Sequence, residues 1–232
     1  MFGLFRFDWT ILIVLPALVL SIWAQIKVSS TYKKYSAYPT KRGMSGAAAA
    51  RQILDQNGLR HVQIEHIRGH LNDHYDPRAN VIRLSDAVHD SHSPAAIGVA
   101  AHEAGHAVQH AKGYAPIKLR SAIIPVTRFG SMLAIPLFFI GLIFYSDYLM
   151  LAGILLYATV ALFQLVTLPV EFNASARAMK VLSTSGMLTS DEQQAARKVL
   201  TAAALTYVAA LLTSLLTLLR LLVLAGGNSR RR

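Results

Sequence analysis

The run Ala100-Ala101-His102-Glu103-Ala104-Gly105-His106-Ala107-Val108 places two histidines four residues apart in an otherwise apolar stretch. Ser93 and Pro94 supply an N-cap and a first helical residue, so the segment from there to Gln109 reads as a helix. Four-residue spacing stacks His102 and His106 on one face, one turn apart, where both imidazoles can converge on one ion. Glu103, adjacent to the first histidine, is poorly placed to bind that ion and well placed to take a proton from a water held there. The neighbours Val99, Ala100, Ala101, Ala104, Ala107 and Val108 predict a buried helix, in which an unpaired His-Glu-His set would be costly. The H-E-x-x-H pattern therefore predicts a zinc site with His102 and His106 as ligands and Glu103 as general base. His110 continues the same face, but lies more than about 10 Å from His102 along a straight helix. It is expected to cap the helix or line the cleft.

The surroundings of this helix are those of a membrane protein. Of the 232 residues 53% are hydrophobic and only 15% charged, and the mean hydropathy is +0.40. Four runs, residues 9–26, 129–146, 148–170 and 199–219, are long enough to cross a bilayer and contain no Asp, Glu, Lys, Arg or His. The first is longer than the apolar region of a signal peptide and carries Trp9 and Trp23 toward its two ends, which predicts a retained anchor.

The formal charge of +11 flanks these runs, so no nucleic-acid partner is expected. Lys27, Lys33, Lys34, Lys41 and Arg42 follow the first run, Lys118, Arg120 and Arg128 precede the second, and Arg177, Lys180, Arg197 and Lys198 separate the third from the fourth. The positive-inside rule places all three segments in the cytoplasm, with Arg6, Arg230, Arg231 and Arg232 opposing. With no cysteine in the chain, disulfides give no second indication of compartment.

The second and third runs form an antiparallel hairpin interrupted only by Asp147. Two crossings return the chain to the side it left, which brings Leu168-Pro169-Val170-Glu171-Phe172-Asn173-Ala174-Ser175 to the face of the histidines. A catalytic zinc needs three protein ligands and an open position, and Glu171 is the predicted third ligand. Asn173 and Ser175, on the same helix, are expected to orient the ligands. Tyr75, His110 and Arg177 are candidate donors to a developing oxyanion, and Arg177 also a contact for a peptide carboxylate.

Between the anchor and the motif, residues 29–39 read as a linker or helix extension, and 44–57 as an amphipathic helix capped by Ser45 and stopped by Gly58. Residues 61–67 and 80–85 read as strands. The His- and Asp-rich stretch 69–77 between them is expected to be a solvated hairpin loop, with a second metal site or a substrate-lining segment as alternatives. The strand 80–84 is expected to be an exposed edge that accepts an extended peptide. Ser190 and Gln193 have capping-box spacing at the start of the last helix.

Taken together, Asp73-His74-Tyr75-Asp76-Pro77, Asn80-Val81-Ile82-Arg83-Leu84-Ser85, the run Gly98 to Gln109 and the run Leu168 to Ser175 make this chain resemble the YugP-like bacterial membrane neutral zinc metallopeptidases along nearly its whole length. More distantly it is similar to the HtpX and Ste24 membrane proteases, which also place two spans between H-E-x-x-H and a glutamate ligand. The likeness implies a gluzincin. Those relatives carry an aspartate four positions after the glutamate, where this chain has Ser175.

The expected fold is a mainly α membrane protein with four transmembrane helices and a small α+β zincin-like catalytic domain. Its expected parts are residues 9–28 (first span), 29–128 (zincin-like domain), 129–170 (transmembrane hairpin), 171–198 (third-ligand helix and connector) and 199–224 (last span). The expected function is a zinc-dependent endopeptidase of the cell membrane, acting at the cytoplasmic surface on membrane-associated or misfolded proteins. The alternative is a non-catalytic scaffold or holdase with a structural zinc and a peptide groove. Its expected partners are a protein or peptide substrate and the lipid bilayer.

Overall fold

The computed structural model describes residues 9–229 of the chain; Arg6, Arg230, Arg231 and Arg232 lie outside the described residues. In order come α1 (Ile11–Ser36), α2 (Gly46–Gln56), β1 (Gln63–Ile67), β2 (His74–Asp76), β3 (Val81–Ser85), α3 (Pro94–Ala111), α4 (Ala115–Ile143), α5 (Asp147–Thr184) and α6 (Ser190–Ser229). Four of them, α1, α4, α5 and α6, are long and apolar enough to cross a membrane. Each extends beyond its apolar run as helix at one end at least, through Lys33 and Lys34 in α1, through Lys118 and Arg128 ahead of the run in α4, and through Glu171 and Arg177 in α5. Pro169 sits inside α5 and does not end it.

The chain divides into two compact units. One comprises the segment up to Trp23, Leu119–Leu168 and the segment from Tyr207; the other comprises Ala24–Lys118 and Pro169–Thr206. In the first, a Cβ on Gly153 would stand 2.7 Å from the backbone nitrogen of Phe138, so α4 and α5 approach there at glycine distance. Phe129, Met132, Leu155 and Leu165 remain largely exposed, as side chains facing lipid should be.

In the second unit, α2 is held at its start by Ser45, whose side chain accepts from the Ala48 N–H at 3.2 Å, and is followed by Gly58 at φ +73°. Its buried Ala49, Ala50, Ile53 and Leu54 join Ile82, Leu84, Ile97 and Leu182 in one core. The three-stranded sheet has the order β1-β3-β2, with β1 parallel to β3 and β2 antiparallel to it.

Two expectations are corrected by this topology. Residues 69–77 are not a hairpin loop, because the strands they link run parallel; the stretch crosses over and forms β2, and Asn80 at φ +52° turns it back into β3. Nor is β3 an edge, since β1 and β2 occupy both of its sides. The acidic residues of the crossover hold the strands in register. Asp73 accepts from the Ser85 backbone N–H at 2.7 Å and its hydroxyl at 3.1 Å, and Asp76 pairs with Arg83 at 3.0 Å. Among the described residues no metal-binding type of cluster falls within this stretch.

The motif helix α3 begins at Ser93, whose side chain accepts from the Ala96 N–H at 3.2 Å, and continues with Pro94 in its first turn. Gly98 and Gly105 lie two turns apart on it. A Cβ on Gly98 would stand 3.2 Å from Ala196 of α6, and one on Gly105 only 2.7 Å from the carbonyl oxygen of Ala174 of α5. The start of α6 is capped one residue earlier than its spacing suggested: Glu192 accepts from the Thr189 N–H at 2.7 Å, replacing the Ser190–Gln193 pair. The other oxygen of the Glu192 carboxylate accepts from the Lys41 N–H at 2.7 Å, an interaction that Gln193 does not supply.

Candidate metal centre

Because Gly105 lets the two backbones meet, Glu171 reaches the histidine face of α3. Its Oε2 lies 3.2 Å from His102 Nε2 and 3.5 Å from His106 Nε2. One donor atom from each of the three residues lies within 4.8 Å of the others. The two rings meet edge to face at 4.6 Å, which aims both Nε2 atoms at common ground. All three side chains are largely removed from solvent, Glu171 most completely.

The remaining ring nitrogens are held by partners, and on His106 the partner fixes which nitrogen carries the proton. Gln109, fully buried, donates from Nε2 to the Val170 carbonyl at 2.8 Å and to Asn173 Oδ1 at 3.0 Å. Its Oε1 must then accept, and it does so from His106 Nδ1 at 3.0 Å, which leaves the lone pair on His106 Nε2. On His102, Nδ1 lies 3.0 Å from the Ser175 hydroxyl. Asn173 Oδ1 also accepts from Arg177 Nε at 2.7 Å, so a line of hydrogen bonds runs from Arg177 through Asn173 and Gln109 to His106.

Burial disfavours a charged His106, yet the hydrogen bond and charge of Glu171, with Glu103 nearby, outweigh it and raise the imidazole pKa above its ordinary value. A field that favours positive charge at this point, together with one carboxylate and two imidazole nitrogens, suits a zinc ion with one position left open. Glu103 is buried beside the cluster, and its Oε2 accepts from the Tyr75 N–H at 3.0 Å. That N–H lies on the side of β2 turned away from β3, so the carboxylate marks the outer edge of the sheet.

The structure thus brings His102, His106, Glu171, Asn173 and Ser175 together, with Glu103 alongside. His110 is exposed in the last turn of α3, with its ring 6.1 Å from that of Tyr75. The Tyr75 hydroxyl is directed at Asn80 at 3.4 Å, and Arg177 is engaged with Asn173 and lies 5.9 Å from the Tyr114 ring. Gln109 was not singled out from the sequence, although an amide on an apolar helix three residues after the second histidine was a usable signal. The Tyr75 N–H gave no such signal, being backbone. A second group, His66, His89 and Asp90, is more exposed, with the two rings stacked at 4.8 Å and each histidine bonded to an aspartate, His66 to Asp86 and His89 to Asp90, both at 2.8 Å.

Residues 10–226 match the protein family described as "Putative neutral zinc metallopeptidase". The chain belongs to this zinc metallopeptidase family. It is 48% identical over 183 residues to "Putative membrane protease YugP" of Bacillus subtilis (strain 168), covering 79% of this chain and 81% of that relative. No solved structure matches it. Zinc is the metal that membership implies, and the donor set built by α3 and α5 fits it.

Proposed function

We propose that this family member is a membrane-embedded zinc endopeptidase of the gluzincin type, with His102, His106 and Glu171 as metal ligands and Glu103 as general base. The observation that carries the reading is the convergence of Glu171 on both histidines, with Glu103 held one residue away by β2. Zinc bound there would polarise a scissile carbonyl and acidify a water. Glu103 takes the proton of the attacking water and delivers it to the leaving amine. Hydrogen bonding of one of its oxygens to Tyr75 keeps the carboxylate aimed and leaves the other oxygen for the proton. Ser175 and Gln109 fix the two imidazoles so that neither ring needs to reorient during turnover. An extended substrate lies beside Glu103 along the outer edge of β2.

The second unit is read as a zincin-like catalytic domain on the cytoplasmic side, as the basic residues around the spans support. Its substrates are membrane-associated or misfolded proteins. The test is Glu103→Gln in the full chain, read by zinc content and by cleavage of an unfolded reporter protein. Zinc is expected to stay while turnover falls by a factor on the order of 10² to 10⁴. Unchanged cleavage would remove the proposed base, and a wild type that binds the reporter without ever cutting it would favour the scaffold or holdase reading.

A further inference from the structure

Where α1 and α6 leave their apolar stretches, the second unit contains an open cleft of about 520 Å³ that the proteolytic reading does not use. From α1 it is lined by Lys27, Thr31, Lys34 and Tyr35, which share one helical face. From α6 it is lined by Arg197, Lys198, Thr201 and Leu205, again on one face. No carboxylate lines the cleft, and among the described residues none of its four cations forms an ion pair. The ammonium groups of Lys34 and Lys198 gather on a single ring, 5.5 Å and 5.9 Å from the centroid of Tyr35. Like charges concentrated in one concavity repel one another, and a bound anion relieves that repulsion.

The lining also changes character along the helices. On α6 it passes from Arg197 and Lys198 through the Thr201 hydroxyl to Ala202 and Leu205, in the direction in which the helix becomes continuously apolar. On α1, Lys34 lies furthest from the apolar run and Lys27 adjoins it, one residue after the exposed Ile26. A small soluble anion has no use for the apolar end. An amphiphile with a phosphate at one end and hydrocarbon at the other fits both.

We propose that this cleft binds the headgroup of an anionic phospholipid. The phosphate is held by Lys34, Arg197 and Lys198, with Lys27 at the hydrocarbon boundary and the first acyl carbons against Leu205. The lipid thereby bridges α1 and α6 at the bilayer surface. This assignment is independent of the chemistry at His102 and His106.

The experiment uses the full chain in a neutral detergent and measures, by native mass spectrometry and by titration, the binding of phosphatidylglycerol, phosphatidylcholine and inorganic phosphate. Wild type is expected to retain one phosphatidylglycerol and to prefer it clearly over phosphatidylcholine. The triple variant Lys34→Gln, Arg197→Gln, Lys198→Gln is expected to bind phosphatidylglycerol about a hundredfold more weakly, while Lys34→Arg, Arg197→Lys, Lys198→Arg keeps it. Equal binding of the two lipids by wild type overturns the proposal, as does full retention of phosphatidylglycerol by the neutral variant. Inorganic phosphate binding as tightly as the lipid would reassign the cleft to a soluble phosphate compound and overturn it equally. Elution profile and thermal unfolding identify a misfolded variant, in which case the wild-type preference between the two lipids decides alone.

Discussion

At the scale of single residues, the centre is organised by what holds the ligands as much as by the ligands themselves. Ser175 occupies the position where similar membrane proteases carry an aspartate, and its hydroxyl lies 3.0 Å from His102 Nδ1. A neutral hydroxyl orients the ring without adding a second negative charge beside it. Ser175→Ala is therefore expected to weaken zinc binding by about 10- to 100-fold, measured by competition with a chelator, while leaving the folded helix intact. Ser175→Asp, which supplies the charged acceptor, is expected to bind at least as tightly as wild type.

At the scale of elements, the contact of α3 with α5 depends on one missing side chain. Gly105→Ala places a Cβ 2.7 Å from a backbone oxygen that cannot rotate away, three residues after Glu171 in α5. The variant is expected to lose about 1–3 kcal/mol of stability by overpacking and to lose zinc with it, read by thermal unfolding and metal content. Gly226→Ala in α6, where a Cβ meets nothing within 4 Å, is the matched control and is expected to hold both.

The crossover into β2 offers a pH-dependent counterpart. Burial pushes the Asp73 carboxyl above the ordinary aspartate range, offset only in part by the hydrogen bonds from Ser85. Because the folded chain holds that proton more tightly than the unfolded one, Asp73 favours folding at low pH. Its contribution is lost as pH rises from about 3.9 toward the raised value. Asp73→Asn, which still accepts from Ser85, is expected to flatten this part of the dependence of Tm on pH; a variant curve parallel to wild type would contradict the assignment.

For the whole molecule, the basic flanks of the apolar helices predict that the centre faces the cytoplasm. The natural chain has no cysteine, so single cysteines report topology without background. With the second unit in the cytoplasm, Lys112→Cys after α3 is expected to react with an impermeant thiol reagent only in opened cells. Phe144→Cys, in the exposed turn between α4 and α5, is expected to react in intact cells. The reverse pattern would place the centre outside and would set the basic flanks against the positive-inside rule.

Run length, motif spacing and capping were legible in the amino-acid sequence because each depends on residues close along the chain. The four apolar helices, the Ser93 cap of α3, the Ser45 cap of α2 and the pairing of His102 with His106 on one face are all of this kind. The convergence of Glu171 also followed from counting two crossings, since a hairpin through lipid has few ways to return. Strand order did not follow, because β1 and β2 compete for the two sides of β3, and that outcome rests on pairings across a crossover whose turns at Gly69, Leu71 and Asn80 are backbone conformations. Only the tertiary structure decided that β2 is the edge beside Glu103, that Gln109 holds the His106 imidazole, that Ser175 rather than Asn173 is the expected orienting residue that meets His102, and that four cations without an ion pair among the described residues share one cleft. Each of these is a contact between distant segments, set by how closely helices and strands approach.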